Sequence, residues 1–145
     1  ILQTLSKAWG MAGLRFGLAF ASDAVAALFA RVKYPYNINC LAQQAVAERL
    51  SDDIAPQVAE LCAERNALTW ALADCPAVVQ VYPSDANFIL IRTPEPDRLY
   101  DALISAGVIV RNRSRIPGCA GCLRITVGTP SENARMLETV KNFRL

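Results

Sequence analysis

The chain has 145 residues, 53% hydrophobic and 19% charged, with 15 Lys+Arg against 13 Asp+Glu and a net charge of +2. That length makes one domain or two small pieces, apolar enough for a core and too weakly charged for disorder. The scattered basic residues exclude a nucleic-acid footprint, and the complete absence of histidine excludes His triads, His metal sites and His general bases.

In chain order, residues 2–6 and 15–21 read as short buried strands flanking a glycine-rich loop. Ser22-Asp23 caps a helix through about Val32. Residues 33–39 are a loop, because Pro35 and the asparagines oppose regular structure, and a helix rich in alanine and glutamine follows from Leu41 to Leu50. Ser51-Asp52-Asp53 begins the longest helix, with Pro56 in its first turn and Pro76 as its stop. Its apolar positions Val58, Leu61, Cys62, Leu68 and Leu72 keep a helical period.

After that helix the pattern changes. Residues 78–82 and 87–92 read as strands, Pro96 to Ala106 as a helix ended by Gly107, and 108–110 and 122–127 as two more strands. Thr129 or Ser131, with Pro130, opens a last helix to about Phe143. The order is β-β-α-β-β-α, an α/β class with helices on one face of a small sheet. Residues 77–145 can close their own core, whereas residues 1–50 have too few elements to cover their apolar faces.

No stretch reads as membrane-spanning, since the most apolar run, Met11 to Ala30, holds Arg15 and Asp23. No leader pattern opens the chain, and its start at Ile1 inside an apolar segment points to a piece of a longer polypeptide. Five unevenly spaced cysteines argue against a disulfide framework and for a reducing cytoplasm. The pair Cys119 and Cys122 has no second pair and no histidine beside it, so it reads as two incidental thiols and no metal is expected.

The stretch Ser6-Lys7-Ala8-Trp9-Gly10-Met11-Ala12-Gly13-Leu14-Arg15 sets a lysine among small residues at a strand end. Desolvation there would lower its pKa and make it nucleophilic. Arg15 is suited to a phosphate and Ser6 adds a hydroxyl, which together point to pyridoxal phosphate (PLP) held at its aldehyde and its phosphate. Arg124 lies mid-strand among Leu123, Ile125 and Val127, where a guanidinium is costly unless an anion meets it. The plainer alternative is an ion pair with a carboxylate such as Glu132.

Four segments in order, "SKAWGMAGLRFG" (6–17), "KYPYNIN" (33–39), "ANFILIR" (86–92) and "GVIVRNRSRIPGCAGCLRITVGTPSEN" (107–133), resemble the histidinol-phosphate aminotransferases, which are fold-type I PLP enzymes. The resemblance implies the C-terminal part of that fold: the end of the large cofactor domain (1–50), a linking helix (51–76) and a small domain (77–145). Lys7 would carry PLP as a Schiff base and shuttle the substrate proton, while Ser6 and Arg15 would hold the PLP phosphate. Arg124 would bind the substrate α-carboxylate and that of glutamate or 2-oxoglutarate. Arg111 would bind the phosphate of histidinol phosphate, with Arg113 and Arg115 close by.

Tyr36 and Asn37 would line a partner subunit's site in a homodimer, or simply pack their own loop. The same residues would suit a threonine-phosphate decarboxylase or an aromatic aminotransferase, and the alternative outside this fold is a stand-alone α/β binding module. The family's glycine loop, its ring-stacking aromatic and the Asp that protonates the pyridine nitrogen all precede the lysine. The 145 residues alone are therefore not expected to be a competent transaminase.

Overall fold

The computed structural model describes residues 1–145. They form two compact units, Ile1–Val58 and Ala59–Leu145.

In the first unit, β1 (Leu2–Thr4) and β2 (Gly17–Ala19) pair antiparallel, with Leu2 opposite Ala19 and Thr4 opposite Gly17. These strands are shorter than expected and they are not buried: Leu2 is 79% exposed. The chain leaves extended geometry after Thr4, and Arg15 takes a left-handed φ of 55°, so neither strand extends further into the loop. No other strand of the chain pairs with this two-stranded sheet, which leaves both of its edges unpaired.

Helix α1 (Asp23–Val32) starts at Ser22 and buries no residue. Its apolar stripe, Val25, Leu28, Phe29 and Val32, faces solvent. Helix α2 (Cys40–Arg49) is capped by Asn39, whose Oδ1 accepts from Ala42 N–H at 2.8 Å. Leu5, Met11 and Val46 make the unit's small core, with Trp9, Leu14 and Phe16 packed around it.

Helix α3 (Ala55–Ala73) begins a few residues later than Ser51-Asp52-Asp53 suggests. Asp53 instead stands outside it and accepts from Ala55 N–H at 3.0 Å. Pro56 is its second residue, where no hydrogen bond is lost.

The second unit carries a four-stranded sheet in the order β3-β4-β6-β5, antiparallel throughout, from β3 (Gln80–Val81), β4 (Phe88–Arg92), β5 (Arg111–Asn112) and β6 (Cys122–Thr126). Helices α4 (Pro96–Ser105) and α5 (Pro130–Asn142) complete it. Alternation sends Ile89, Ile91, Leu123 and Ile125 into one core with Leu68 and Leu72 of α3, Leu99 and Leu103 of α4, and Met136 and Val140 of α5. Each such side chain contributes about 1.5–3 kcal/mol by leaving water.

The strand expected at 108–110 does not form, and the ladder begins at Arg111. The helix end explains the shift. Gly107, at φ 75°, donates to Ile104 and Val108 donates to Leu103, which closes α4 with a Schellman turn. Val108 N–H is thereby consumed, and Val110 turns into the core before pairing starts. Helix α5 opens with a capping box. Thr129 Oγ1 accepts from Glu132 N–H, and the Glu132 carboxylate accepts from Thr129 N–H at 2.8 Å.

Candidate functional site

The first cluster of chemically apt residues lies in the loop between β1 and β2. Pairing of Thr4 with Gly17 closes the loop, so Ser6 follows one stem by two residues and Arg15 precedes the other by two. Met11 N–H donates to Leu5 C=O and Gly10 N–H to Lys7 C=O, both at 3.0 Å, so Lys7 opens a tight turn. Gly10 closes that turn at φ 69°, a conformation in which a side chain would be strained.

Gln57 Nε2 pins the turn by donating to Ala8 C=O at 2.8 Å. Ser6 Oγ shares a 2.7 Å hydrogen bond with Thr4 Oγ1. One Arg15 amine donates to Ala12 C=O at 3.1 Å, leaving the rest of the guanidinium free.

Lys7 is exposed, so the desolvation anticipated from its small neighbours is not provided by these residues. Ala8, Gly10, Ala12 and Gly13 have too little side chain to cover it. The donor set nevertheless suits a phosphorylated aldehyde: an accessible primary amine, a hydroxyl and a partly free guanidinium come from one closed loop. Trp9 Nε1 is buried there without a partner. Arg15 and Asn37 line one shallow depression, and Asn37 lines a second with Tyr36, Phe16 and Lys33. Tyr36 itself is 84% exposed.

The second cluster is on the sheet of the other unit. Arg111 stands directly opposite Arg124 on adjacent strands. Directly opposite residues share a sheet face with Cβ atoms about 5 Å apart, and like charges so placed are destabilising. Neither arginine has a carboxylate within salt-bridge distance. Glu132, the alternative partner for Arg124, is engaged by Thr129, whose hydrogen bonds hold its carboxyl below the usual range. Arg124 Nε is buried with no hydrogen-bond partner, and its guanidinium carbon lies 5.1 Å from the centre of the Phe88 ring. Phe88, Leu90, Arg124 and Thr126 occupy the sheet face opposite the helices.

Sequence reasoning singled out Arg111 and Arg124 separately and missed that they pair. The signal available was strand alternation running outward from a turn, and the misplaced strand at 108–110 concealed it. Phe88 was missed as well, although its two-residue spacing from Leu90 put it on the Arg124 face.

The family model for aminotransferase class I and II matches residues 1–140. The chain belongs to that family. It is 49% identical to the histidinol-phosphate aminotransferase of Parabacteroides distasonis over 147 residues, covering 100% of this chain and 43% of that protein. It is 46% identical to the corresponding protein of Cytophaga hutchinsonii, covering 99% of this chain and 42% of the relative.

The crystal structure of the histidinol-phosphate aminotransferase from Clostridium acetobutylicum superposes with a TM-score of 0.87 at 26% identity, over 97% of this chain and 44% of that one. The chain thus spans less than half the length of the relatives it matches. Its α/β architecture is that of the fold-type I aminotransferases. All five cysteines are free, and no helix is long and apolar enough to cross a membrane.

Proposed function

We propose that this chain is the C-terminal portion of a PLP-dependent histidinol-phosphate aminotransferase, which exchanges the amine of histidinol phosphate with the keto group of 2-oxoglutarate in histidine biosynthesis. Residues 1–50 would complete the cofactor domain, 51–76 link, and 77–145 form the small domain. The observation that carries the reading is the Arg111–Arg124 pair, two arginines directly opposite each other on adjacent strands with no carboxylate within salt-bridge distance of either. Such a pair wants an anionic ligand.

Lys7 would hold the cofactor aldehyde, and its amine, once released, would move a proton between the substrate α-carbon and the cofactor C4′. Ser6 and Arg15 would hold the cofactor phosphate. PLP, when bound, supplies the electron sink that makes the α-proton acidic. Arg124 would take the α-carboxylate of glutamate. Arg111 would take the phosphoryl group of histidinol phosphate, and because that substrate has no carboxylate Arg124, about one strand spacing away, would share it.

Tyr36 and Asn37 would face the site of a second subunit in a cytoplasmic homodimer. Incubating the longest in-frame product with PLP, reducing with borohydride and mapping the phosphopyridoxyl label tests the assignment. Label on Lys7 is expected, and a label elsewhere or none overturns it. The 145 residues alone are expected to turn over amino donor and 2-oxoglutarate far more slowly than a complete enzyme.

A further inference from the structure

One further backbone bond follows β5. Arg113 N–H donates to Cys122 C=O at 2.8 Å, so the register that sets Arg111 opposite Arg124 sets Arg113 opposite Cys122. Arg113 is the first residue past β5, and the two-residue spacing from Arg111, about 6.5–7 Å on an extended chain, puts it at the register position on the side of Arg111 and Arg124. Arg92, opposite Cys122 on the other side, is occupied: its Nη2 donates to Gln80 Oε1 at 2.6 Å. Arg113 is half-buried and has no salt bridge.

The nearby acid, Asp97, is bonded to Asn112 Nδ2 at 2.7 Å, and Asn112 lies at the intervening, opposite-facing position. No Asp or Glu lies on the face formed by Gln80, Phe88, Leu90, Arg92, Cys122, Arg124, Thr126 and the arginines of 111–113. Beside Arg113, Ser114 Oγ is buried without a partner.

Counting donors against acceptors gives the arrangement a meaning. A carboxylate presents two oxygens, which one guanidinium matches. A phosphate monoester presents three oxygens and nearly two negative charges, which one guanidinium cannot satisfy. We infer that Arg113 is a third anion-binding guanidinium of this face, engaging the phosphoryl substrate and not the dicarboxylate one. The inference rests on the assignment of Arg111 and Arg124 as anion-binding residues.

The test is an NMR titration of the longest in-frame product containing this chain, without added cofactor, using histidinol phosphate and L-glutamate as probes and the ¹⁵N spectrum as the control for folding. Arg113→Gln should weaken histidinol phosphate about tenfold, the effect of one charge-assisted hydrogen bond, and leave glutamate within a factor of two. Arg113→Lys should restore part of the loss. Arg124→Gln should weaken both ligands.

If Arg111→Gln and Arg124→Gln weaken histidinol phosphate and Arg113→Gln does not, the third guanidinium is refuted and the function stands. Equal weakening of both ligands by Arg113→Gln refutes the selectivity. If the unaltered chain shows no saturable shift with histidinol phosphate, or if Arg111→Gln and Arg124→Gln change nothing, the functional assignment of this face falls and the inference falls with it.

Discussion

Replacing Asn133 by alanine should be among the most damaging polar substitutions in the second unit. The side chain is 5% exposed and makes three hydrogen bonds. Its Oδ1 accepts from Gly128 N–H at 2.9 Å, and its Nδ2 donates to Gly128 C=O at 3.0 Å and to the Glu64 carboxylate at 2.8 Å. One amide therefore ties the turn after β6 to both α5 and α3. Two neutral bonds at about 1 kcal/mol and one to a carboxylate at about 2 kcal/mol put the loss near 3 kcal/mol once water re-solvates part of the gap.

For an ~90-residue cooperative unit that lowers Tm by roughly 12–24 °C. The measurement is thermal unfolding followed by far-UV circular dichroism, with amide exchange at Ile89 and Ile125 locating the loss in this unit. Asn133→Asp separates the bonds from the shape. Its second oxygen faces two acceptors, so it should be as unstable as alanine near neutral pH and regain stability on acidification, where the acid can donate. A Tm change under about 4 °C for Asn133→Ala would refute the reasoning.

Thr129→Ala should cost about 1 kcal/mol in urea unfolding, because the N-cap of α5 is lost. Glu132 carries a separate pH signature. Hydrogen bonds from Thr129 depress its carboxyl below the ordinary 4.5, so its contribution is complete above that value and lost as pH falls through the depressed one. Glu132→Gln should remove that step from an acid titration of stability.

Gly121→Ala should destabilise by about 1–3 kcal/mol in chemical denaturation, since Gly121 sits at φ 74° and a Cβ there would lie 2.8 Å from Thr93 C=O. Phe88→Leu should weaken glutamate binding about two- to fivefold in the same NMR titration by removing the ring beneath Arg124. Under native conditions a thiol reagent should label exposed Cys40 first. Buried Cys75, whose pKa burial pushes up, should label late by peptide mass mapping.

What the sequence made legible was local chemistry. Thr129 or Ser131 with Pro130 announced a helix start, and Gly107 announced a helix end. The alternation of Ile89 and Ile91 announced a half-buried strand. What stayed hidden depended on partners far along the chain. Val108-Ile109-Val110 has strand-like composition, yet the Schellman turn takes the first of its N–H groups. Leu2 and Phe20 read as buried because they are apolar, but burial needs something to pack against, and nothing in the chain covers them. The ion-free state of Arg124 was likewise invisible until the capping box claimed Glu132.

The two strands that carry the paired arginines differ in how freely they can vary. β6 is central, bonded on both sides, and its alternate residues are core; β5 is a two-residue edge held by β6 and the Asn112–Asp97 bond. Rewriting β6 disturbs the unit's folding, whereas rewriting the outward positions of β5 leaves the core untouched. Directed evolution of this unit toward new anions should therefore accumulate its accepted changes at the edge, around a nearly invariant central strand.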